Sequence, residues 1–390
     1  MHRITRRSVL AGGLAAAGCL ATGFGSSGAA SLSAENGTDR SGSASESAVA
    51  ICRCPSYKPA ELRRALEHAF ELIGGIKPLV ENKTVTIKIN LTGMEWKPVF
   101  GLPAQETYQT QPDSLAALCA ILADCGARRM VVVENLYWEK PFEQVLIENG
   151  WDVKGIVAAG GHRVTFEDTR NRGKFPGYSR ISVPWGGFIY PGFEVNQRFE
   201  KTDVLISMNK LKQHATAGIT GVVKNCFGNT PSSIYGDDGP GEHALKHRAA
   251  MFHSGRKQPP AGAPAELAHW LENKGTIRVP RITADIFGAR PADLGIIDGI
   301  RTISGGEGHW NDGIALKEPK LLLVGRNGVS TDAVATAVMG FDPQAAHGVK
   351  PFPGENHLAL LASVGVGTND LSRIEVRGVP LRDAVYPFDA

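Results

Sequence analysis

Short runs of β-branched and aliphatic residues recur along this chain with helix-patterned stretches between them, and that succession confines the fold to the α/β class. Ala48–Cys52 predicts a first strand, followed by an amphipathic helix over Ala60–Leu72 that stops at Gly74-Gly75. Thr84–Asn90 and Met130–Glu134 predict two more strands, separated by a helix over Pro112–Cys125 with Gly126 as its stop. A short helix over Phe142–Asn149, a strand from Arg163, a Gly/Pro-interrupted region over 173–192 and an apolar run over Asp203–Ser207 continue the series. Repeated βα units imply a mostly parallel sheet with right-handed crossovers and helices on both faces, here expected in two lobes.

Fold reasoning begins near Ala48, because the first 34 residues read as a targeting segment. Thr5-Arg6-Arg7-Ser8-Val9-Leu10 precedes an uncharged run rich in Gly and Ala up to Phe24, the pattern of a twin-arginine export signal. The run is too short and too rich in small residues for a comfortable membrane span. Arg6 and Arg7 would be read by the twin-arginine translocase, giving a periplasmic or extracellular protein. Cleavage sites at Gly28-Ala29-Ala30 or Leu32-Ser33-Ala34 compete with lipidation at Cys19, which would anchor the protein to a membrane. Residues 35–47 read as a flexible linker.

Residues 48–390 form the α/β domain. It carries a cap or active-site loop at about 235–275, with helices around Glu242–Phe252 and over Ala265–Glu272. The stretch 283–390 contains strands at Leu294–Asp298 and Lys320–Val324 and a helix over Thr331–Met339, which close the sheet or make the second lobe. The formal charge of +3 resides in the leader: without Arg3, Arg6 and Arg7, 39 basic residues face 39 acidic ones. Such balance argues against nucleic acid as a partner.

The densest chemistry lies in Ser207–Asn229, where Lys210, Lys212, His214, Lys224 and Asn225 gather around Gly218, Gly221 and Gly228. The apolar run before it places these side chains at the carboxyl end of a parallel strand, where open α/β sheets bind ligands. Lysines supply charge, glycines admit backbone N–H groups to a bound oxyanion, and Asn225 and His214 supply directed hydrogen bonds. Lys88 and Asn90 end another strand and point to the same edge, with Lys88 either solvated there or ligand-binding.

Several phrases in order resemble one family, the domain-of-unknown-function 362 family. They are Ile87–Leu91, Gln111-Pro112 before a helix, Gly126 before a strand, Lys212–Gly228, Ala284-Asp285-Ile286, Asp293-Leu294 through Ile297-Asp298-Gly299, Gly306-Glu307-Gly308, Gly325 and Asp332–Ala335. The family has no assigned reaction. Some of its members carry ferredoxin-like cysteine clusters, but this chain has no C-x-x-C-x-x-C run, so an iron–sulfur cluster is not supported.

Acids complete the candidate set. Glu307, flanked by glycines, is the preferred catalytic carboxylate; Asp298, Glu307 and His214 are candidate ligands for a divalent metal. Asp332 falls where helix N-terminal turns favour negative charge. His243 and His247 would share one face if their segment were helical, with His253 downstream; such spacing can hold zinc, but a solvated helix is the preferred explanation, since the segment lacks the Glu of a metalloprotease motif.

Three readings follow. The first is an exported enzyme acting on a small anionic molecule through His214, Lys224 and Glu307. The second is a binding protein that captures such a ligand or a metal without turnover. The third is a metallocofactor or redox protein using Cys52, Cys54, His214 or Cys226.

Overall fold

The computed structural model describes residues 48–170, 177–268 and 272–389. Arg6, Arg7 and Cys19 lie outside the described residues. An eight-stranded sheet organises the chain, with strands β1 (Val49–Arg53), β2 (Thr84–Lys88), β3 (Arg129–Glu134), β4 (Val164–Asp168), β5 (Val204–Lys210), β6 (Leu294–Gly299), β7 (Leu321–Gly325) and β8 (Val376–Gly378). Their order across the sheet is β8-β1-β7-β6-β5-β2-β3-β4. Every neighbouring pair is parallel except the two that involve β7, which runs opposite to β1 and to β6. The carboxyl ends of β2, β3, β5 and β6 therefore lie along one edge.

Strand periodicity sends alternate side chains to two apolar cores, one on each face. Val49 and Ile51, Val131 and Val133, and Leu321 and Leu323 enter one core. Ala50 and Cys52, Met130 and Val132, and Leu322 and Val324 enter the other.

Helices cover both faces. On the second core lie α1 (Pro59–Leu72), α2 (Pro112–Asp124), α3 (Phe142–Glu148) and α4 (Val153–Ala159). In α1, Leu62, Ala65, Leu66, Ala69 and Phe70 repeat at the spacing of one buried stripe. Helix α2 starts cleanly because Pro112 occupies its first turn and the Gln111 side chain accepts the Ser114 amide at 2.9 Å. On the first core lie α5 (Gly221–Asn225), α6 (Gly275–Ala289), α7 (Gly328–Val338) and α8 (His357–Ser363).

Of the two expectations for 283–390, the sheet-closing one is what the fold uses. β6 and β7 pair inside the common sheet and β8 forms its edge, so what the sequence suggested as two lobes is two cores sharing one sheet.

Two expected helices need correction. Residues 242–248 form turns, with one wide helical turn at Ala249–His253, because nearby carboxylates capture the amides a helix would use. Asp238 accepts from Leu245 and Lys246 at 3.0 Å each, and Asp237 accepts from Ala250 at 2.7 Å. The described part of Ala265–Glu272 is not helical either; the helix of this region is α6, which starts at Gly275 and carries Pro280 inside it. No helix among the described residues is long and apolar enough to cross a membrane.

Candidate functional site

After β5 the chain forms a small hairpin, Gln213–His214 against Gly218–Ile219, and turns directly into α5. This short helix is fixed by a carboxylate from another element. Asp332, in α7, accepts the Val222 and Val223 amides at 2.6 and 2.9 Å. The cap of α7 itself is Asn327, whose side chain accepts the Ser330 amide. Asp332 is thus structural, as its helix-start position suggested, but the helix it caps is α5. Burial pushes its carboxyl up to about 8 against the pull of the two amides.

Helix α5 sets Asn225 among the strand ends. The Asn225 amide nitrogen donates to Ser207 Oγ at 3.0 Å and to the Lys88 carbonyl at 3.2 Å, and its oxygen accepts from Asn90 at 3.0 Å. Asn90 in turn accepts from Lys212 Nζ at 3.2 Å, and that ammonium also donates to the carbonyls of Tyr108 and Glu307. Lys88 is buried and paired with Glu134 at 2.8 Å. Five residues that the sequence singled out from distant segments, Lys88, Asn90, Lys212, Asn225 and Glu307, are therefore linked through one hydrogen-bonded network.

His214 and Glu307 meet at the outer end of this network. Glu307 accepts the Ala215 amide at 2.8 Å and the Trp310 indole at 3.0 Å. Burial opposes its ionisation, but His214, these two donors and Lys212 hold the carboxyl down at about 2. Burial takes His214 down to about 3, over the attraction of Glu307, so the ring is neutral at neutral pH and its 3.8 Å approach to Glu307 is not an ion pair. Since His214 Nδ1 accepts the Thr216 and Ala217 amides, the hydrogen bonds assign the ring proton to Nε2. In this tautomer His214 presents Nε2–H as a hydrogen-bond donor.

Lys224 is the exception to this saturation. Its ammonium lies 3.8 Å from the centroid of the Phe227 ring and has no hydrogen-bond partner among the described residues. Burial brings it down to about 7; Glu307 pulls the other way, while Arg248 and Lys88 add to the fall. Lys212 is likewise lowered to about 7 by burial, but it has three acceptors. Because Lys224 remains partly accessible, its amine is open to a ligand as well as poised to titrate.

Other sequence candidates fall elsewhere. Lys210 pairs with Asp298 at 2.9 Å and donates to the Tyr57 hydroxyl at 2.5 Å, forming a closed buried cluster. Asp298 is consumed there and does not join Glu307 and His214, and among the described residues no group of three or more His, Cys, Asp or Glu side chains is arranged to hold a metal.

The glycines admit close protein groups. A Cβ at Gly221, where φ is +52°, would lie 2.4 Å from the Asp332 carboxyl, and one at Gly228 would lie 2.9 Å from Lys88 Nζ. Gly218 backs onto Phe352. His243 and His247 share no helix face, and His247 pairs with Asp237 at 2.9 Å.

Cys52, Cys54 and Cys226 are free and buried, and burial raises their thiols to about 11, 12 and 12. Burial alone thus keeps these thiols protonated and weakly nucleophilic.

Sequence reasoning missed Arg248 as a candidate and discounted His253, both delivered by the 235–275 loop. Arg248 lowers the Lys224 amine, and His253, taken by burial to about 4, senses both Lys224 and Glu307. A groove of about 750 Å³ lies apart from this site, over β1 and α1, lined in part by Cys52, Arg53, Glu61, Arg64 and Gly378. The strand-end network remains the candidate because its buried charges converge, whereas the groove is lined largely by separate surface side chains.

No curated protein matches this chain. Among solved structures it overlaps a Thermotoga maritima protein at 14% identity, covering 68% of this chain and 55% of that one with a TM-score of 0.34. It also overlaps the lactate racemase apoprotein of Thermoanaerobacterium thermosaccharolyticum at 13% identity, covering 70% and 54% with a TM-score of 0.35. The chain spans about half the length of these proteins, and overlap at this level carries no residue correspondence. Residues 85–337 match the model of the family described as a domain of unknown function (DUF362), and the chain belongs to that family.

Proposed function

We propose that this chain is an enzyme that binds a small anionic molecule at the carboxyl edge of its sheet and acts on it by proton transfer through Lys224. The observation that carries this reading is the Lys224 amine, brought to about 7 by burial and left without a hydrogen-bond partner among the described residues. A half-buried ammonium without a hydrogen-bond partner costs folding stability, and such costs concentrate where a ligand supplies the missing interaction. An amine that titrates near neutrality can both give and take a proton at working pH. The neutral His214 ring presents its Nε2–H as a donor, while Glu307, fixed as a carboxylate by Ala215 and Trp310, favours the protonated form of Lys224.

The test is the titration of this amine itself. Reductive ¹³C-methylation followed by NMR should give a Lys224 resonance that titrates near pH 7, assigned by its loss in Lys224→Met. Inorganic phosphate should move that midpoint upward, because a nearby anion favours the ammonium. A midpoint near that of free lysine, indifferent to phosphate, would refute the reading.

The proposal includes the place of action: the folded domain is exported by the twin-arginine route. The Arg6→Lys, Arg7→Lys double variant is expected to leave precursor in the cytoplasm, scored by fractionation and immunoblot. Export of that variant at the wild-type level rules the route out.

A further inference from the structure

We infer that Arg248 is a second anion-recognition residue of the Lys224 site and that the ligand is a dianion, a phosphate or dicarboxylate group set that engages both side chains. This inference rests on the proposed function and narrows its substrate class.

Arg248 is 5% exposed, and its bonds are few for a guanidinium. Nε donates to the Thr230 carbonyl at 2.6 Å, Nη1 reaches the Tyr137 hydroxyl at 3.4 Å, and Nη2 is buried with no partner. No carboxylate pairs with it among the described residues. A guanidinium carries five N–H donors in a rigid fork that matches the paired oxygens of a carboxylate or phosphate, and a buried fork with an unpaired edge is the counterpart of such a group.

Its neighbours make the same point through charge. Arg248 and Lys88 both bear on the Lys224 amine, and Lys212 shares the network through Asn90 and Glu307. Against these four bases stand two acids, Glu134 on Lys88 and Glu307 beside His214. The other acids of residues 235–253 are engaged elsewhere: Asp237 by His247 and the Ala250 amide, Asp238 by the Leu245 and Lys246 amides, and Glu242 by the Tyr178 hydroxyl. Two positive charges are left uncompensated when all four bases are protonated, so a monoanion leaves the site unbalanced and a dianion neutralises it.

The loop geometry explains how Arg248 arrives there. Asp237 and Asp238 hold the 235–250 backbone in turns, and the wide turn after Arg248 packs Phe252 against Phe227, the ring beneath Lys224. Residues 235–253 therefore serve as a recognition loop rather than only as a cover.

Isothermal titration of the wild type with inorganic phosphate, malonate and acetate at pH 7.5, where phosphate is mainly the dianion, tests the assignment. Phosphate or malonate should bind at least about tenfold more tightly than acetate, and the better of the two identifies the dianion. In Arg248→Gln that preference should fall to within about twofold, while acetate binding changes little. Arg248→Lys, which keeps a charge and a donor for Thr230 but not the fork, should retain only part of the preference and guards against a folding defect in the glutamine variant.

A preference that survives in both variants overturns the role of Arg248. If Lys224→Met still weakens binding of all three anions about tenfold or more in that case, the proposed function stands without this inference. If the wild type binds none of the three, both fall.

Discussion

Replacing Asp332 by alanine is expected to destabilise the protein by about 3 kcal/mol at pH 5, the largest single loss of stability anticipated here. Asp332 is fully buried, and its two oxygens receive the Val222 and Val223 amides. Alanine would strand both amides, each costing roughly 1–3 kcal/mol when left buried and unpaired, and would leave a small void as well. Asp332→Asn retains one acceptor and should lose about half as much.

The pH dependence has a definite sign. Burial raises the Asp332 carboxyl to about 8, far above the unfolded value, so folding takes up a proton between those limits and this contribution declines as pH rises through them. The gap between wild type and Asp332→Ala should therefore be widest in acid and shrink towards pH 8. Urea unfolding of the two proteins at pH 5 and pH 8 measures it. A loss under about 1 kcal/mol at pH 5, or a gap that widens with pH, contradicts the capping role.

The example shows where sequence reading of this chain stops. An acid five residues beyond Asn327 looks like a cap for the helix it belongs to, because both capping arrangements require an acid near a helix start. Only the packing of α7 against α5 decides that Asp332 faces the other helix.

The strands were legible for a general reason: strands buried on both faces are short and continuously apolar, and β1, β2, β3, β5, β6 and β7 all contain such a run. Helix α6 was not, since it starts without a side-chain cap and holds Pro280, which normally argues against a helix interior. The false helix at 242–252 has the converse cause, because Asp237 and Asp238 act from outside the window whose composition was read.

The site divides in the same way. Lys88, Asn90, Lys212 and Asn225 were visible because strand ends of a parallel sheet share an edge. Which lysine is satisfied and which is open was not visible: Lys210 and Lys212 are two residues apart, yet one closes on Asp298 and Tyr57 and the other on Asn90, Tyr108 and Glu307. Arg248 gave no signal at all, since an arginine in an aperiodic loop looks solvated until the loop is folded.

The expected behaviour of Lys224→Met separates a functional lysine from a structural one. A structural lysine loses stability when its charge is removed, as would follow for Lys210 beside Asp298. Lys224 has no hydrogen-bond partner to lose among the described residues, and burial takes its amine from the ordinary lysine value to about 7 on folding. Unfolded chains therefore bind the proton more tightly than folded ones over that interval, so wild-type stability rises as pH climbs from about 7 towards the lysine range.

Methionine fills a similar volume without the charge. The variant should be more stable by about 2 kcal/mol at pH 6, less than the full shift implies because the ammonium reaches solvent, and this advantage should fade above pH 7 and vanish near pH 10.5. The same substitution should weaken inorganic phosphate binding by about 1.5–3 kcal/mol, roughly ten- to 150-fold, the scale of a hydrogen bond to a charged group. Thermal melts across pH and calorimetric titration of one preparation read both quantities. A variant that binds phosphate as the wild type does, or that loses stability at pH 6, would place Lys224 among the structural lysines. Gain of stability together with loss of binding is the signature of a charge kept in the fold for its ligand, and no rearrangement of packing alone produces both.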